Sequence, residues 1–337
     1  MAFKENTRLN KVNAMCEEIL PNLFRNKIPL PDSPLKYLNC YIVRDSERSL
    51  IVDTGLNRKT CLDAMQRGLN TLAVDLSKSD IFITHRHDDH FGLVSKLLTD
   101  STRIFFGRSD KVLLESWNGV GTIADYARLN GFPENEIQAV FDKHPAAEFD
   151  LDWIRQSKAL DDGDVIAIGA YNFKCLATPG HTIGHTCLYE PDKKILLAGD
   201  HILMDISPNI VCWSDAENPL AHFLASLDKV QKLQVDLVLP GHRRLIDNPK
   251  DRIAELKKHH ACRLDEVLAL LNGSCMSAFQ IASNMTWDIV NGNWDQFPAP
   301  QKWFATGEAI AHIRYLEEAG RLTRKTDKKI TKFEIRK

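Results

Sequence analysis

Thr84-His85-Arg86-His87-Asp88-Asp89-His90-Phe91-Gly92 places three histidines and two aspartates within six residues. Imidazole nitrogen and carboxylate oxygen are good ligands for a divalent transition metal, zinc above all. The run in front of them, Asp80-Ile81-Phe82-Ile83, is apolar and β-branched and predicts a buried strand. The cluster therefore stands where a strand opens into a loop or helix, the position at which α/β folds place their chemistry. A chance clustering of surface histidines is the bland alternative, and the rest of the chain argues against it.

Working outward, the same arrangement recurs. Leu38 to Val43 and Ser49 to Val52 are apolar runs joined by the polar turn Arg44 to Arg48, a β-hairpin pattern whose second run ends in Asp53-Thr54-Gly55. On its own Asp53 reads equally well as a turn residue. Val165 to Leu176 is β-like and runs into Pro179-Gly180-His181-Thr182-Ile183-Gly184-His185. Cys187 to Glu190 and Lys194 to Leu197 form another hairpin pattern, ending at Gly199-Asp200-His201. Val235 to Leu239 ends at Pro240-Gly241-His242. Five apolar strands thus end within a residue or two of Asp53, His85, His181, Asp200 or His242. The ends of strands in a buried sheet share a rim, so these side chains are expected to converge. Scattered core histidines have no reason to favour strand ends.

Helical spacing marks Leu56 to Leu69 and Glu217 to Leu233 as amphipathic. Asp110 to Ala159 is helix-like and aromatic, with Trp117, Tyr126, Phe132, Phe141, Phe149 and Trp153. It reads as an insertion at about 110–160 that either shapes a substrate pocket or packs peripherally. After His242, Asp251 to Leu271, Ser277 to Met285 and Thr306 to Gly320 read as helices. Leu322-Thr323 and Phe333 to Ile335 flank a charged turn, Arg324 to Lys329. From Gln301 onward ten positive and five negative residues leave a balance of +5. That balance suits either a nucleic-acid contact or a solvated hairpin. The poor recognition surface of the third helix, with Glu317 and Glu318 behind Arg314, favours the second.

Composition narrows the class. The chain has 337 residues, 44% hydrophobic and 26% charged, with a net charge of -2. This is the balance of a globular protein with no general preference for polyanions. No apolar run reaches the roughly 18 residues needed to span a bilayer. Met1 to Ala14 lacks the apolar core of a secretory signal. The eight cysteines form no Cys-x-x-Cys pair and read as reduced, mostly buried thiols, which points to the cytoplasm.

These blocks, from about Leu38 to His242, resemble the metallo-β-lactamase superfamily. The resemblance implies an α/β fold, a four-layer αβ/βα sandwich, over residues 1–249. It also implies a small winged-helix-like α+β domain over 250–337, as found behind the catalytic part of some members. It implies two divalent metal ions, zinc by default with iron or manganese as alternatives. His85, His87 and His181 would hold the first, Asp89, His90 and His242 the second, with Asp200 bridging. A metal-bridged hydroxide would then be the nucleophile. Asp89 would orient or deprotonate that water, and Asp53 would brace a ligand or the water. His185 would brace a ligand, meet the substrate or simply fill a turn. His201 is not expected to be a ligand. His144, His222, His259, His260 and His312 fall outside the pattern and read as surface or packing residues.

The expected activity is hydrolysis of a small ester, thioester or lactone, similar to the glyoxalase II and lactonase branches. Ile206, Pro208, Ile210 and Trp213 suggest an apolar wall for an acyl group. The alternatives are a phosphodiesterase or ribonuclease of the same superfamily, or a ligand-sensing nucleic-acid-binding protein. The expected partner is a small molecule rather than a membrane or nucleic acid, with a homodimer left open.

Overall fold

The computed structural model describes residues 16–116, 121–142, 151–287 and 293–337. Trp117, Gly119, His144 and Phe149, which fall in or beside the insertion read from the sequence, lie outside the described residues.

Seven strands build the first sheet in chain order: β1 (Cys16–Leu20), β2 (Leu23–Pro29), β3 (Tyr37–Val43), β4 (Ser49–Val52), β5 (Ser79–Ile83), β6 (Ile104–Gly107) and β7 (Lys158–Leu160). β1 to β4 pair antiparallel and β4 to β7 parallel. The second sheet has five strands: β8 (Val165–Ile168), β9 (Tyr171–Ala177), β10 (Thr186–Glu190), β11 (Ile195–Gly199) and β12 (Leu237–Pro240). All its pairs are antiparallel except β11 with β12.

Strand alternation explains why the runs are apolar throughout. Leu50, Val52, Phe82 and Phe105 face the second sheet, where they meet Phe173, Leu188, Ile195 and Leu197 in one buried layer. Their neighbours Ile51, Ile81, Ile83 and Phe106 face the other way, onto Cys61, Ala64, Met65 and Leu69 of helix α1 (Lys59–Thr71). The second sheet repeats the device: Leu196, Ala198 and Val238 meet Leu220, Phe223, Leu227 and Val230 of a helix at Pro219–Gln231. Helix, sheet, sheet, helix is the αβ/βα sandwich expected, with both faces of each sheet covered.

Between β5 and β7 lie α2 (Asp88–Phe91), α3 (Val94–Leu97), α4 (Arg108–Glu115), α5 (Gly121–Leu129), α6 (Glu134–Phe141) and α7 (Asp152–Gln156); the helix on the second sheet is α8. The tail is α9 (Pro249–Leu270), α10 (Ala278–Asn284), α11 (Ala299–Glu318) and a hairpin of β13 (Leu322–Asp327) and β14 (Ile330–Ile335). Ile281, Ile310, Ile313 and Phe333 of the tail share one core with Phe223 and Val238, so packing is continuous across residue 249.

Three details differ from the sequence reading. The charged stretch after Leu322 is mostly strand: the ladder runs from Leu322 opposite Ile335 to Asp327 opposite Ile330, and Lys325 pairs with Glu334 and Lys332 with Asp327 along it. The last helix starts at Ala299, several residues before Thr306. β1 and β2 carry no clean alternation, since buried Asn26 and Arg25 interrupt the pattern. Six cysteines are buried; Cys262 and Cys275 are exposed, and all eight are free. Among the described residues no helix is long and apolar enough to cross a membrane.

Candidate metal centre

The rim is assembled by backbone. β4 passes Asp53 to the site, and the Asp53 amide donates to the Phe82 carbonyl of β5. At the end of β5 the Thr84 carbonyl accepts from the Thr186 amide, which stitches the two sheets together beside His85. Asn39 and Tyr41 of β3 both donate to the Pro240 carbonyl, at 2.9 Å each, and hold the end of β12 so that His242 reaches the same place. The turn after Asp53 locks α2: the Thr54 amide and hydroxyl donate to the His90 carbonyl, at 2.7 and 2.9 Å.

The side chains converge. His85, His87 and His181 form one group, His85, His90 and Asp200 a second, and Asp89, His90 and His242 a third. Within each group one ligand atom per residue lies within 4.8 Å of the others. The His90 Nε2 lies 3.6 Å from Asp200 and 3.9 Å from Asp89; the His242 Nε2 lies 3.2 Å from Asp89 and 3.5 Å from Asp200; the His181 Nε2 lies 3.7 Å from Asp200. Asp200 thus stands between His181 on one side and His90 and His242 on the other. Every residue named as a ligand from the sequence is in this cluster.

The hydrogen bonds fix the ring tautomers. Asp53 accepts from the Thr84 amide (2.8 Å), the Thr84 hydroxyl (2.9 Å) and His90 Nδ1 (2.8 Å). With its proton on Asp53, the Thr84 hydroxyl oxygen accepts from His85 Nδ1 at 3.0 Å. His181 Nδ1 donates to the Asn209 carbonyl (2.8 Å) and His242 Nδ1 to the Tyr37 carbonyl (2.9 Å). In all four rings Nδ1 carries the proton outward and the Nε2 lone pair faces the centre, the arrangement a cation requires. His85 Nε2 meets His87 Nδ1 at 2.9 Å.

Four ligand atoms are buried with no hydrogen-bond partner among the described residues: Nε2 of His90, His181 and His242, and Oδ1 of Asp200. Each such group costs about 1–3 kcal/mol if left so. A divalent cation satisfies all of them, so the residues fit the metal that the donor set implies.

The electrostatics agree. Burial, reinforced by neighbouring imidazoles, holds His85 and His87 well below the ordinary histidine range, and burial lowers His181. Burial opposes charge on His90 and His242 as well, but the nearby carboxylates outweigh it and raise both. Burial also opposes charge on Asp89 and Asp200, but the adjacent histidines overcome it, bringing Asp89 down to about 2 and lowering Asp200. Two carboxylates facing the same histidines draw positive charge to the cluster.

Two of the residues expected to assist lie behind the cluster. Asp53 touches Thr84 and His90 rather than the cavity. His185 donates from Nδ1 to the Thr178 hydroxyl at 2.8 Å and accepts the Asp200 amide on Nε2 at 3.1 Å, so neither nitrogen faces the centre. His201 is buried away from the ligands against Phe223. His222 and His259 are exposed, while His260 and His312 are buried and bonded to each other. Ile210 is wholly buried and Trp213 stacks on Trp303, 3.9 Å between rings. These two are spent on packing, and Met204 and Ile206 remain half-buried. The supporting roles of Thr84, Thr178, Asn209 and Tyr37 were not legible in the sequence; the last two act through carbonyls, which carry no residue signal.

Comparison with known proteins agrees with this geometry. An uncharacterized protein of Aquifex aeolicus is 32% identical over 221 residues, 63% of this chain and 87% of the relative. A chicken protein named acyl-coenzyme A thioesterase MBLAC2 is 25% identical over 213 residues, 60% of this chain and 72% of the relative. The crystal structure of a metallo-beta-lactamase family protein from Thermus thermophilus superposes with a TM-score of 0.77 at 26% identity, covering 95% of this chain and 100% of that one. A beta-lactamase domain protein from Burkholderia ambifaria gives 0.78 at 25%, covering 98% and 96%. Residues 264–336 match the model for the metallo-beta-lactamase-like C-terminal domain. Residues 35–242, which carry every ligand described above, match the model of the metallo-beta-lactamase superfamily, and the chain belongs to that superfamily of hydrolases.

Proposed function

We propose that the chain is a dinuclear metal-dependent hydrolase of acyl thioesters, with small esters or lactones as lesser substrates. The observation that carries this reading is the cluster of His85, His87, Asp89, His90, His181, Asp200 and His242, within which Nε2 of His90, His181 and His242 and Oδ1 of Asp200 are buried without a hydrogen-bond partner among the described residues. The acyl assignment is supported by the MBLAC2 likeness and by half-buried Met204 and Ile206.

When bound, two divalent ions, zinc by default, would supply a water acidic enough to attack near neutral pH and would polarise the carbonyl. His85, His87 and His181 would hold one ion, and Asp89, His90 and His242 the other, with Asp200 between. The chain's own residues do the rest. Thr84 and Asp53 keep His85 and His90 in the receptive tautomer. His185 fixes the backbone of Asp200. Asp89, its carboxylate 17% exposed, is the open-facing acid or base that passes the proton to the departing thiolate.

The tail's three helices and hairpin support a winged-helix-like reading. Lys302, Arg314, Arg324, Lys325 and Lys332 are paired with carboxylates, which favours a packing role over nucleic-acid contact. The eight free cysteines support a reducing, cytoplasmic setting.

The test is a panel of acyl-CoA thioesters, lactones, phosphodiesters and single-stranded RNA offered to zinc-loaded protein, with free thiol as the thioester readout. Thioester hydrolysis that chelator removes and zinc restores is the expected result. Turnover of phosphodiesters or RNA alone would overturn the acyl reading.

A further inference from the structure

We propose that Asp110 is a positioning residue that sets the first metal site by tying together the two loops that bring His85, His87 and His181 to it. The inference rests on the reading of those histidines as ligands. Asp110 lies in the first turn of α4, outside the ligand set, and is wholly buried. Its carboxylate accepts the Arg86 amide at 3.0 Å, between His85 and His87. On its other side it accepts the Thr182 hydroxyl at 2.6 Å and the Gly184 amide at 2.9 Å, just past His181. The Arg86 guanidinium, with Nε 3.5 Å away, offsets its charge.

The junction is built for this contact. A Cβ on Gly184 would stand 2.1 Å from the Asp110 amide nitrogen, and one on Gly107 would stand 2.2 Å from the Gly184 carbonyl. Only glycine at both positions lets the β6–α4 turn come close enough for one carboxylate to hold both loops. Asp89, His90 and His242 depend on other supports, namely Asp53, Thr54 and the Tyr37 carbonyl. Asp110 therefore acts on one metal position and spares the other.

A carboxylate can accept from three donors on two oxygens, whereas an isosteric amide presents one acceptor and two donors of its own. Oδ2 takes the Arg86 amide and the Thr182 hydroxyl and Oδ1 the Gly184 amide, so Asp110→Asn sets at least one donor against a donor and loosens the tie at unchanged volume. The metal-depleted full-length chain, wild type and variant, is titrated with zinc against a chromophoric chelator. Wild type should take up two equivalents. Asp110→Asn should keep one at wild-type affinity and weaken the other by about 10–100-fold, the usual effect of removing a residue that orients a ligand. Thr182→Val, which leaves both amide bonds to Asp110, should weaken the same equivalent less. General loosening of the fold would weaken both equivalents together, and that result overturns the proposal, as does retention of both. If Asp110→Asn fails to fold, unchanged zinc binding by Thr182→Val overturns it as well. Failure of wild type to bind zinc would instead remove the metal-centre reading, and the role of Asp110 with it.

Discussion

Asp53 occupies the left-handed region at φ 59°, a conformation that a non-glycine residue adopts at some cost. What holds it there is its set of three donors, and through two of them it governs the tautomers of both His85 and His90. In the proposed arrangement these rings hold different metal ions, so Asp53→Asn should weaken both zinc equivalents by about 10–100-fold, with stepwise chelator competition as the measurement. Asp110→Asn should affect one. His87→Ala removes a proposed ligand outright, and hydrolysis should fall by more than that factor, with metal content read by elemental analysis of the purified protein. At this scale the sequence was most legible where the residue type itself is a metal-ligand type, and the structure brings those residues together. His85, His87, Asp89, His90, His181, Asp200 and His242 stand out because histidine and aspartate are uncommon next to buried strands. Asp110 did not, because an acidic residue in the first turn of a helix is ordinary.

The elements follow local rules with a few overrides. α10 begins with a full capping box: the Gln280 amide donates to the Ser277 hydroxyl at 3.3 Å, and the Ser277 amide to the Gln280 side chain at 2.9 Å. Ser277→Ala should lower stability by about 1 kcal/mol in urea unfolding, while Ser277→Asn should recover most of it. Strands β4, β5, β10 and β11 were readable because both faces are covered, so the runs are apolar without interruption. β1 and β2 were not, since Arg25 answers Glu17 and Asn26 is buried beneath α1. The β13–β14 hairpin reads as a charged turn because its outer residues are charged and paired across the ladder, while only Leu322, Thr331 and Phe333 are buried. α11 starts early because Pro300 is tolerated in a first turn, where its missing amide proton has no partner to lose.

Across the whole molecule, the tail is part of the core. Glu308 of α11 is pushed up to about 7 by burial, against the pull of Arg263, whose Nε is 3.7 Å away. Its folded value lies above the ordinary unfolded value near 4.3. The folded state therefore keeps a proton that the unfolded state releases, and this side chain favours folding less as pH rises from about 4 to about 7. Glu308→Gln should match wild type near pH 4 and exceed it by about 2 kcal/mol at pH 8, measured by urea unfolding at both pH values. The active-site loop is tied to the same tail. The Cys212 amide donates to the Gly307 carbonyl at 3.0 Å, and Asp215 takes Tyr126 from α5 and Arg324 from β13. A short step before Cys212, the Asn209 carbonyl holds His181. Anyone trimming this chain at residue 249 would thus cut the mooring of His181, a proposed metal ligand far upstream of the cut. The C-terminal quarter behaves as a keystone, and an engineered shorter version would need a substitute brace for Asn209 to keep the proposed metal centre intact.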